Sequence, residues 1–121
     1  MSAAATGDAP PTVFQKIIDR QIPADIVFET DSVLAFRDAN PQAPVHVLVI
    51  PKRPVVNLAE ATDGDAALLG ECLRACDAVA RQAGVGDAYR VVTNSGAGAG
   101  QSVFHLHFHV LGGRDLSWPP G

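Results

Sequence analysis

The order of apolar and polar positions along the chain predicts a short helix, three strands, a long helix and two further strands. Thr12, with Gln15 three residues later, matches a helix-capping box. Residues 25–30 alternate as a strand does, and a second strand over residues 32–37 follows a tight Thr30-Asp31 corner, which suggests a hairpin. Residues 45–50, 89–93 and 103–111 are the three remaining apolar stretches with strand character. This order predicts an α+β domain with a mainly antiparallel five-stranded sheet and one short N-terminal helix.

The long helix is predicted from a stripe of apolar residues at helical spacing, which begins after Thr62 and Asp65 and ends before Gly84. Its members are Leu68, Leu69, Cys72, Leu73, Cys76, Val79 and Ala80. The two cysteines lie one turn apart on this stripe, with no further thiol or imidazole nearby in sequence. We therefore expect buried, reduced thiols and a cytoplasmic protein.

Length and charge narrow the class of protein. The 121 residues fit one domain, and we expect residues 1–11 to be a disordered lead-in and residues 12–121 to form the domain. The net charge is −4 and no segment concentrates basic residues, which disfavours a nucleic-acid partner. No apolar run approaches the roughly 18 residues that a membrane span needs, so no membrane partner is expected.

The last predicted strand carries the most informative pattern, a histidine at every second position. Because alternate residues of a strand share a face, His105, His107 and His109 should line one side of residues 103–111. The opposite side should pack on the long helix through Phe104, Leu106, Phe108 and Val110. The fourth histidine, His46, lies on another predicted strand. This pattern predicts a row of imidazoles that faces a cleft.

Two kinds of chemistry fit such a row. A zinc ion needs all its ligands about 2 Å away, whereas the first and third imidazoles of a straight strand lie roughly 13 Å apart. A neutral imidazole is also a good nucleophile towards phosphorus, and the glycine-rich segment 94–102 can turn its N–H groups towards a phosphate. We favour the nucleophile, and a zinc-binding module stays open.

The segment Gly100–Gly113 resembles the sequence motif of the histidine triad (HIT) family, and the chain is most similar to its nucleotide-binding branch. The likeness extends to residues 14–18, 22–24, 35–38, 41–44, 46–52 and 118–121. The resemblance implies a HIT-like fold, a homodimer, and no metal or other cofactor. It implies a purine nucleoside phosphoramidase that hydrolyses P–N bonds, and also aminoacyl adenylates, through a nucleotidyl-histidine intermediate.

The resemblance also implies roles for individual residues. His107 is the expected nucleophile, His109 and Ser102 are expected to contact the phosphate and assist the leaving amine, and His105 and His46 are expected to orient the row. Asp38 matches the carboxylate that binds the ribose hydroxyls. The remaining substrate-binding candidates are Asn94, Gly100, Gln101 and Val103 near the phosphate and sugar, Phe14, Ile17, Phe36, Arg37 and Ala39 around the base, and Trp118 in the C-terminal segment.

Three positions depart from the pattern of that branch. Arg37 stands where a histidine is expected, Ala39 where a larger aliphatic side chain is expected, and Ser117 where a histidine often precedes the tryptophan. The first two bear on base preference and the third on the leaving group. Two further alternatives remain: a dinucleoside polyphosphate hydrolase, and a nucleotide-binding regulatory or scaffold protein with weak hydrolase activity.

Overall fold

A computed structural model describes residues 10–121, so the predicted lead-in falls almost entirely outside the described residues. Two α-helices and five strands form the fold, connected by three short 3-10 turns at Leu58–Glu60, Asp63–Asp65 and Ala97–Ala99. The elements are α1 (Val13–Ile18), β1 (Ile26–Glu29), β2 (Val33–Arg37), β3 (Val45–Pro51), α2 (Ala66–Gln82), β4 (Tyr89–Val92) and β5 (Phe108–Gly112). The strands form one antiparallel sheet in the order β1-β2-β3-β5-β4, which confirms the predicted fold class.

The sheet has apolar residues on both faces, because each face is covered by a helix. Alternate residues of β2, β3 and β5 pack against α2, among them Val33, Ala35, Val47, Val49, Phe108 and Val110. The opposite face buries Leu34, Phe36, Leu48 and Ile50 against Phe14 and Ile17 of α1. This second face also carries His109, which pairs with Leu48 across β3 and β5.

Helix α1 is short and begins at the predicted cap. The N–H of Gln15 donates to Thr12 Oγ1 at 3.1 Å, which satisfies one of the free donors of the first turn. The Gln15 side chain turns the other way and donates to Asp19 Oδ1, so only half of the predicted capping box forms. The cap fixes the start of a helix whose Phe14 and Ile17 cover the sheet beside the histidines.

Helix α2 follows the predicted stripe with one exception. It buries Leu68, Cys72, Ala75, Cys76, Val79 and Ala80. Leu73 is 52% exposed, so its assignment to the buried stripe is wrong. It follows Cys72 directly and is therefore turned about 100° away from the buried face. Burial raises the pKa of both the Cys72 and Cys76 thiols to about 12, and neither forms a disulfide.

The last strand is shorter than predicted, because β5 begins at Phe108 rather than Val103. Pairing with β3 stops at Phe108 opposite Val49, although β3 continues to Pro51, and the backbone before Phe108 bonds elsewhere. The N–H of Leu106 donates to Val55 O at 2.6 Å, and His107 O accepts from Thr93 Oγ1 at 2.7 Å. His105 and His107 therefore lie on an irregular segment that leads into the sheet.

The irregular segment also changes the apolar side of the histidine row. Leu106, Phe108 and Val110 pack in the core beneath α2, as predicted. Phe104 is 44% exposed, so the expectation that it packs on the long helix is wrong. Without a strand partner at this point, the side chain is not held against the sheet.

Candidate active site

Four histidines and one aspartate converge on the α1 face of the sheet. His46 on β3 and His109 on β5 are diagonal neighbours, and His46 Nε2 lies 2.9 Å from His109 Nδ1. Asp38, just after β2, brings its Oδ2 to 3.3 Å from His46 Nε2. The ring centroids of His107 and His109 are 5.1 Å apart. The imidazoles thus form a connected cluster, as the alternating pattern predicted, although His46 joins it from another strand.

Hydrogen bonds to the backbone fix the position of the proton on His46. The N–H of Gln42 donates to His46 Nδ1 at 3.0 Å, so Nδ1 must offer its lone pair. The proton of the neutral ring is then on Nε2, which donates to His109 Nδ1. His109 in turn carries its proton on Nε2. The network therefore leaves His109 with a free N–H donor.

His107 has the opposite arrangement. Its Nδ1 lies 2.7 Å from His105 O, and because a carbonyl oxygen only accepts, Nδ1 carries the proton. The lone pair is consequently on Nε2. The His107 ring is buried and packs edge-on against Phe14, with ring centroids 4.9 Å apart. His107 is thus held in the tautomer and orientation that a nucleophilic imidazole needs.

His105 holds the irregular segment in place. Its side chain is 2% exposed, and Nε2 donates to Pro51 O at 2.7 Å, at the end of β3. Its own carbonyl oxygen is the acceptor for His107 Nδ1–H. The backbone of His105 therefore fixes the ring of His107.

Burial keeps the surrounding imidazoles neutral. Desolvation is the main cause that lowers the pKa of His109 to about 4, and neighbouring His107 and His46 lower it further while Asp38 opposes the shift. Desolvation likewise lowers the pKa of His46 and of His105. At neutral pH these rings act as hydrogen-bonding groups rather than as fixed positive charges.

A pocket of about 700 Å³ opens beside the cluster, a size typical of small-molecule sites. Most of the predicted site residues line it: Phe14, Ile17, Phe36, Arg37, Asp38, Ala39, Ser102, Val103, His107 and His109. The apolar side chains of α1 and β2 form one end, and Ser102 with the two histidines forms the other. The pocket thus combines an apolar slot with a polar end that holds Ser102, His107 and His109.

Other predicted residues do not line this pocket. His46 and His105 lie behind it and act through their neighbours. Asn94 and Gly100 belong to the glycine-rich loop, and at Gly100 the backbone has a φ of 101° that favours glycine. Trp118 is 81% exposed and contributes nothing to the pocket within this chain. Gln101 is buried, and its side-chain amide bonds to the protein itself.

The rim of the pocket carries an ion pair that the sequence did not suggest. Arg37 pairs with Asp25 at 2.6 Å, and both residues line the pocket. Asp38 has two roles, since its Oδ1 also accepts the N–H of Asn40 at 2.8 Å and closes the turn after β2.

Sequence reasoning missed several residues that hold the site together. Gln42 fixes the His46 tautomer through its backbone, Thr93 bonds the carbonyl of His107, and Asn57 bonds Gln101. Only the hydroxyl of Thr93, at the end of an apolar strand, gave any signal in the sequence. The contribution of Gln42 comes from its N–H, which every residue except proline has.

The cluster also places three metal-ligand types together, a grouping that the sequence did not suggest. Asp38, His46 and His109 each offer an atom within 4.8 Å of the others. To bind a metal, His46 Nε2 would need a free lone pair, yet Nδ1 already accepts the N–H of Gln42. Both nitrogens of one ring would then have to be deprotonated, which a neutral imidazole cannot be. The hydrogen-bond network therefore does not fit a metal at these three residues.

Comparison with known proteins agrees with this architecture. The HIT domain family model matches residues 19–116. The adenylylsulfatase HINT1 of Arabidopsis thaliana is 47% identical over 120 residues, covering 98% of this chain and 82% of that protein. A 14 kDa zinc-binding protein of Zea mays is 50% identical over 116 residues, covering 94% and 91%. The crystal structure of a HIT family hydrolase from Legionella pneumophila superposes with a TM-score of 0.89 at 44% identity, covering 92% of this chain and 100% of that one.

Fold and site together define a small α+β hydrolase built around a cluster of histidines. The chain belongs to the HIT family. Within residues 10–121, no helix is both long and apolar enough to cross a membrane.

Proposed function

We propose that the protein is a purine nucleoside phosphoramidase, which hydrolyses the P–N bond of nucleoside 5′-phosphoramidates. We propose that it also hydrolyses aminoacyl adenylates, at the bond between phosphorus and the aminoacyl oxygen. The observation that carries the proposal is the tautomer of His107. Its Nδ1–H is held by His105 O, so the lone pair is on Nε2 in a residue that lines the pocket. A nucleophile fixed in this way attacks without first having to reorient.

The pocket supports a purine nucleotide as the substrate. Phe14, Ile17 and Phe36 give an apolar slot for a flat base, and Asp38 can accept hydrogen bonds from ribose hydroxyls. At the other end, the Ser102 hydroxyl and the His109 Nε2–H are donors for the phosphate oxygens. These donors offset the negative charge that builds up in the transition state.

The reaction has two steps through a nucleotidyl-histidine. In the first, a bond forms between His107 Nε2 and phosphorus, the P–N bond breaks, and the amine takes a proton from solvent through Ser102 and His109. In the second, water attacks phosphorus and the bond to His107 breaks. The proton of that water returns to solvent by the same donors, which restores the site. The mechanism requires no metal.

The decisive experiment is release of amine from adenosine 5′-phosphoramidate, with a chelator present. We expect turnover by the wild type, none by His107→Ala, and retained binding of AMP by that variant. Phe104→Ala is a matched control, because this exposed side chain lies within the histidine segment but outside the pocket. Absence of turnover by the wild type contradicts the proposal, and turnover lost to the chelator alone points to the zinc alternative.

A second candidate is hydrolysis of adenylyl sulfate. It is favoured by the Arabidopsis relative, which is named an adenylylsulfatase and is 47% identical to this chain. The same nucleophile would attack the same phosphorus, and sulfate rather than an amine would leave. Competition between adenosine phosphoramidate, adenylyl sulfate and a dinucleoside polyphosphate separates the candidates by kcat/KM. The proposed phosphoramidase requires the first to exceed the other two.

We also propose that the protein is a homodimer in the cytoplasm. Strand β4 is at one edge of the sheet, and Trp118 projects from the C-terminal segment with 81% of its surface exposed. A second copy would cover such an edge and such a side chain. The buried thiols of Cys72 and Cys76 suit a reducing compartment. Sedimentation equilibrium tests the dimer, since a single species of 12.6 kDa contradicts it.

A further inference from the structure

A buried pair of amides lies beneath the glycine-rich loop. Gln101 is 4% exposed and Asn57 is 7% exposed. Gln101 Oε1 accepts from Asn57 Nδ2 at 3.0 Å and from the N–H of Gly96 at 2.8 Å. Gln101 Nε2 donates to Val56 O at 2.7 Å and to Val103 O at 3.1 Å. All four hydrogen-bonding positions of this amide are therefore used within the protein.

The orientation of both amides is fixed by their backbone partners. A carbonyl oxygen only accepts, so Gln101 must present its nitrogen to Val56 and its oxygen to the N–H of Gly96. Asn57 Oδ1 accepts the N–H of Glu60 at 3.0 Å, which leaves Asn57 Nδ2 to face Gln101. Neither amide can flip without placing like groups against each other.

Apart from bonds within its own 3-10 turn, the loop above this pair has one further tether to the same segment, the N–H of Ala59, which donates to Ser95 Oγ at 3.2 Å. Its residues 97–100 are exposed, and it contains three glycines, which lose the most conformational entropy when ordered. A Cβ built on Gly96 or Gly98 would meet nothing within 4 Å. The pair ties two points to residues 56–57, a separate segment of the chain. These points are Gly96, within the loop, and Val103, directly after the loop.

The pair acts next to the pocket without entering it. Ser102 and Val103 line the pocket, whereas Gln101 does not. The side chains of Gln101 and Ser102, adjacent in the chain, thus serve opposite sides of the loop. The Gln101 amide faces the core, and Ser102 faces the pocket.

We propose that the Asn57–Gln101 pair positions the phosphate-binding loop, and that Gln101 is a positioning residue rather than a substrate ligand. The inference rests on the proposed function only in taking this loop to bind the phosphate group. The family resemblance placed Gln101 among the expected substrate-binding residues, and Asn57 had no expected role. The hydrogen bonds assign both to the support of Ser102.

The test is a double-mutant cycle with Gln101→Met and Asn57→Ala. Methionine keeps the length of the side chain and removes all four hydrogen bonds. We expect kcat/KM for adenosine phosphoramidate to fall about 10- to 100-fold in each variant, because small displacements of a positioning group are costly. The double variant should lose no more than the worse single variant, since both substitutions break one unit.

Hydrogen exchange supplies a readout that does not depend on catalysis. In both variants the amide of Gly96 should exchange at least about tenfold faster, while amides of β3 and β5 keep their protection. Gln82→Met is a matched control, because its amide donates to Val27 O at the end of α2, away from the loop. This control should change neither the Gly96 amide nor kcat/KM.

Each other outcome counts against the proposal. If Gln101 binds substrate directly, Gln101→Met lowers AMP affinity, whereas Asn57→Ala leaves AMP affinity and kcat/KM unchanged. Additive losses in the double variant also contradict a single unit. If Asn57→Ala fails to fold, Asn57→Asp replaces it, because a carboxylate keeps the acceptor for Glu60 and removes the donor to Gln101. If Gln101→Met fails to fold, Asn57→Asp alone carries the kinetic and exchange measurements. A wild type without phosphoramidase activity refutes the proposed function, whereas Gly96 exchange and AMP affinity still decide the role of the pair.

Discussion

Acid should weaken this fold through His109 more than through an ordinary surface histidine. Burial is the main cause that lowers the pKa of His109 to about 4 from its ordinary value of 6.5, and Asp38 only partly opposes the shift. The unfolded chain therefore takes up the proton at a higher pH than the folded chain does. Stability conferred by the neutral ring is present above the unfolded pKa and is lost as the pH falls towards about 4.

The size of this effect follows from the two pKa values. Near pH 5 the ring is almost fully protonated in the unfolded chain and largely neutral in the folded one. Between pH 7 and pH 5, the linkage relation gives a loss of about 2 kcal/mol in the free energy of unfolding from His109 alone. The lowered pKa values of His46 and His105 act in the same direction.

Urea unfolding of the wild type and of His109→Gln, at both pH values, measures this contribution. Glutamine does not titrate, so the variant should lose about 2 kcal/mol less than the wild type between pH 7 and pH 5. Carboxylates such as Asp65 titrate in both proteins, and their effect cancels in the difference. An equal loss in the two proteins would refute the assignment of a buried, neutral His109.

Three further predictions follow from other parts of the structure. Cys72 and Cys76, buried and with thiol pKa values of about 12, should not react with a thiol reagent until urea unfolds the protein. Thr12→Ala removes the cap of α1 and should lower the free energy of unfolding by about 1 kcal/mol, measured by urea denaturation. Gly100→Ala forces a side chain onto a φ of 101°, which should cost about 1–2 kcal/mol and weaken AMP binding measured by calorimetry.

The fold was predictable from the sequence because its pattern is local. The apolar stripe of α2 records which side of the helix is buried, and the continuous apolar run of β2 records a strand that is buried on both faces. The prediction was wrong where the alternation continued beyond the strand pairing. Residues 103–107 alternate like a strand, yet pairing with β3 stops at Phe108 opposite Val49, and the backbone bonds to Val55 and Thr93 instead.

The sequence predicted which histidines form the cluster, but not which of their side chains bond to each other. Alternation placed His105, His107 and His109 on one side, and this holds even where the strand is absent. The contact of His109 with His46 depends on the register between β3 and β5, which the sequence does not show. The burial of Gln101 likewise depends on a segment 44 residues earlier in the chain.

The chemical difference between the imidazoles comes from backbone groups that no motif records. His107 and His109 share one pocket and one residue type, yet a carbonyl holds the proton of His107 on Nδ1, while His46 leaves that of His109 on Nε2. One ring therefore offers a lone pair and the other a donor. Exchanging these tautomers would leave the sequence pattern unchanged and remove the lone pair from Nε2 of His107. The series of hydrogen bonds from His109 through His46 ends at the backbone N–H of Gln42. This N–H fixes the His46 tautomer and is thus as much a determinant of the site as the histidines.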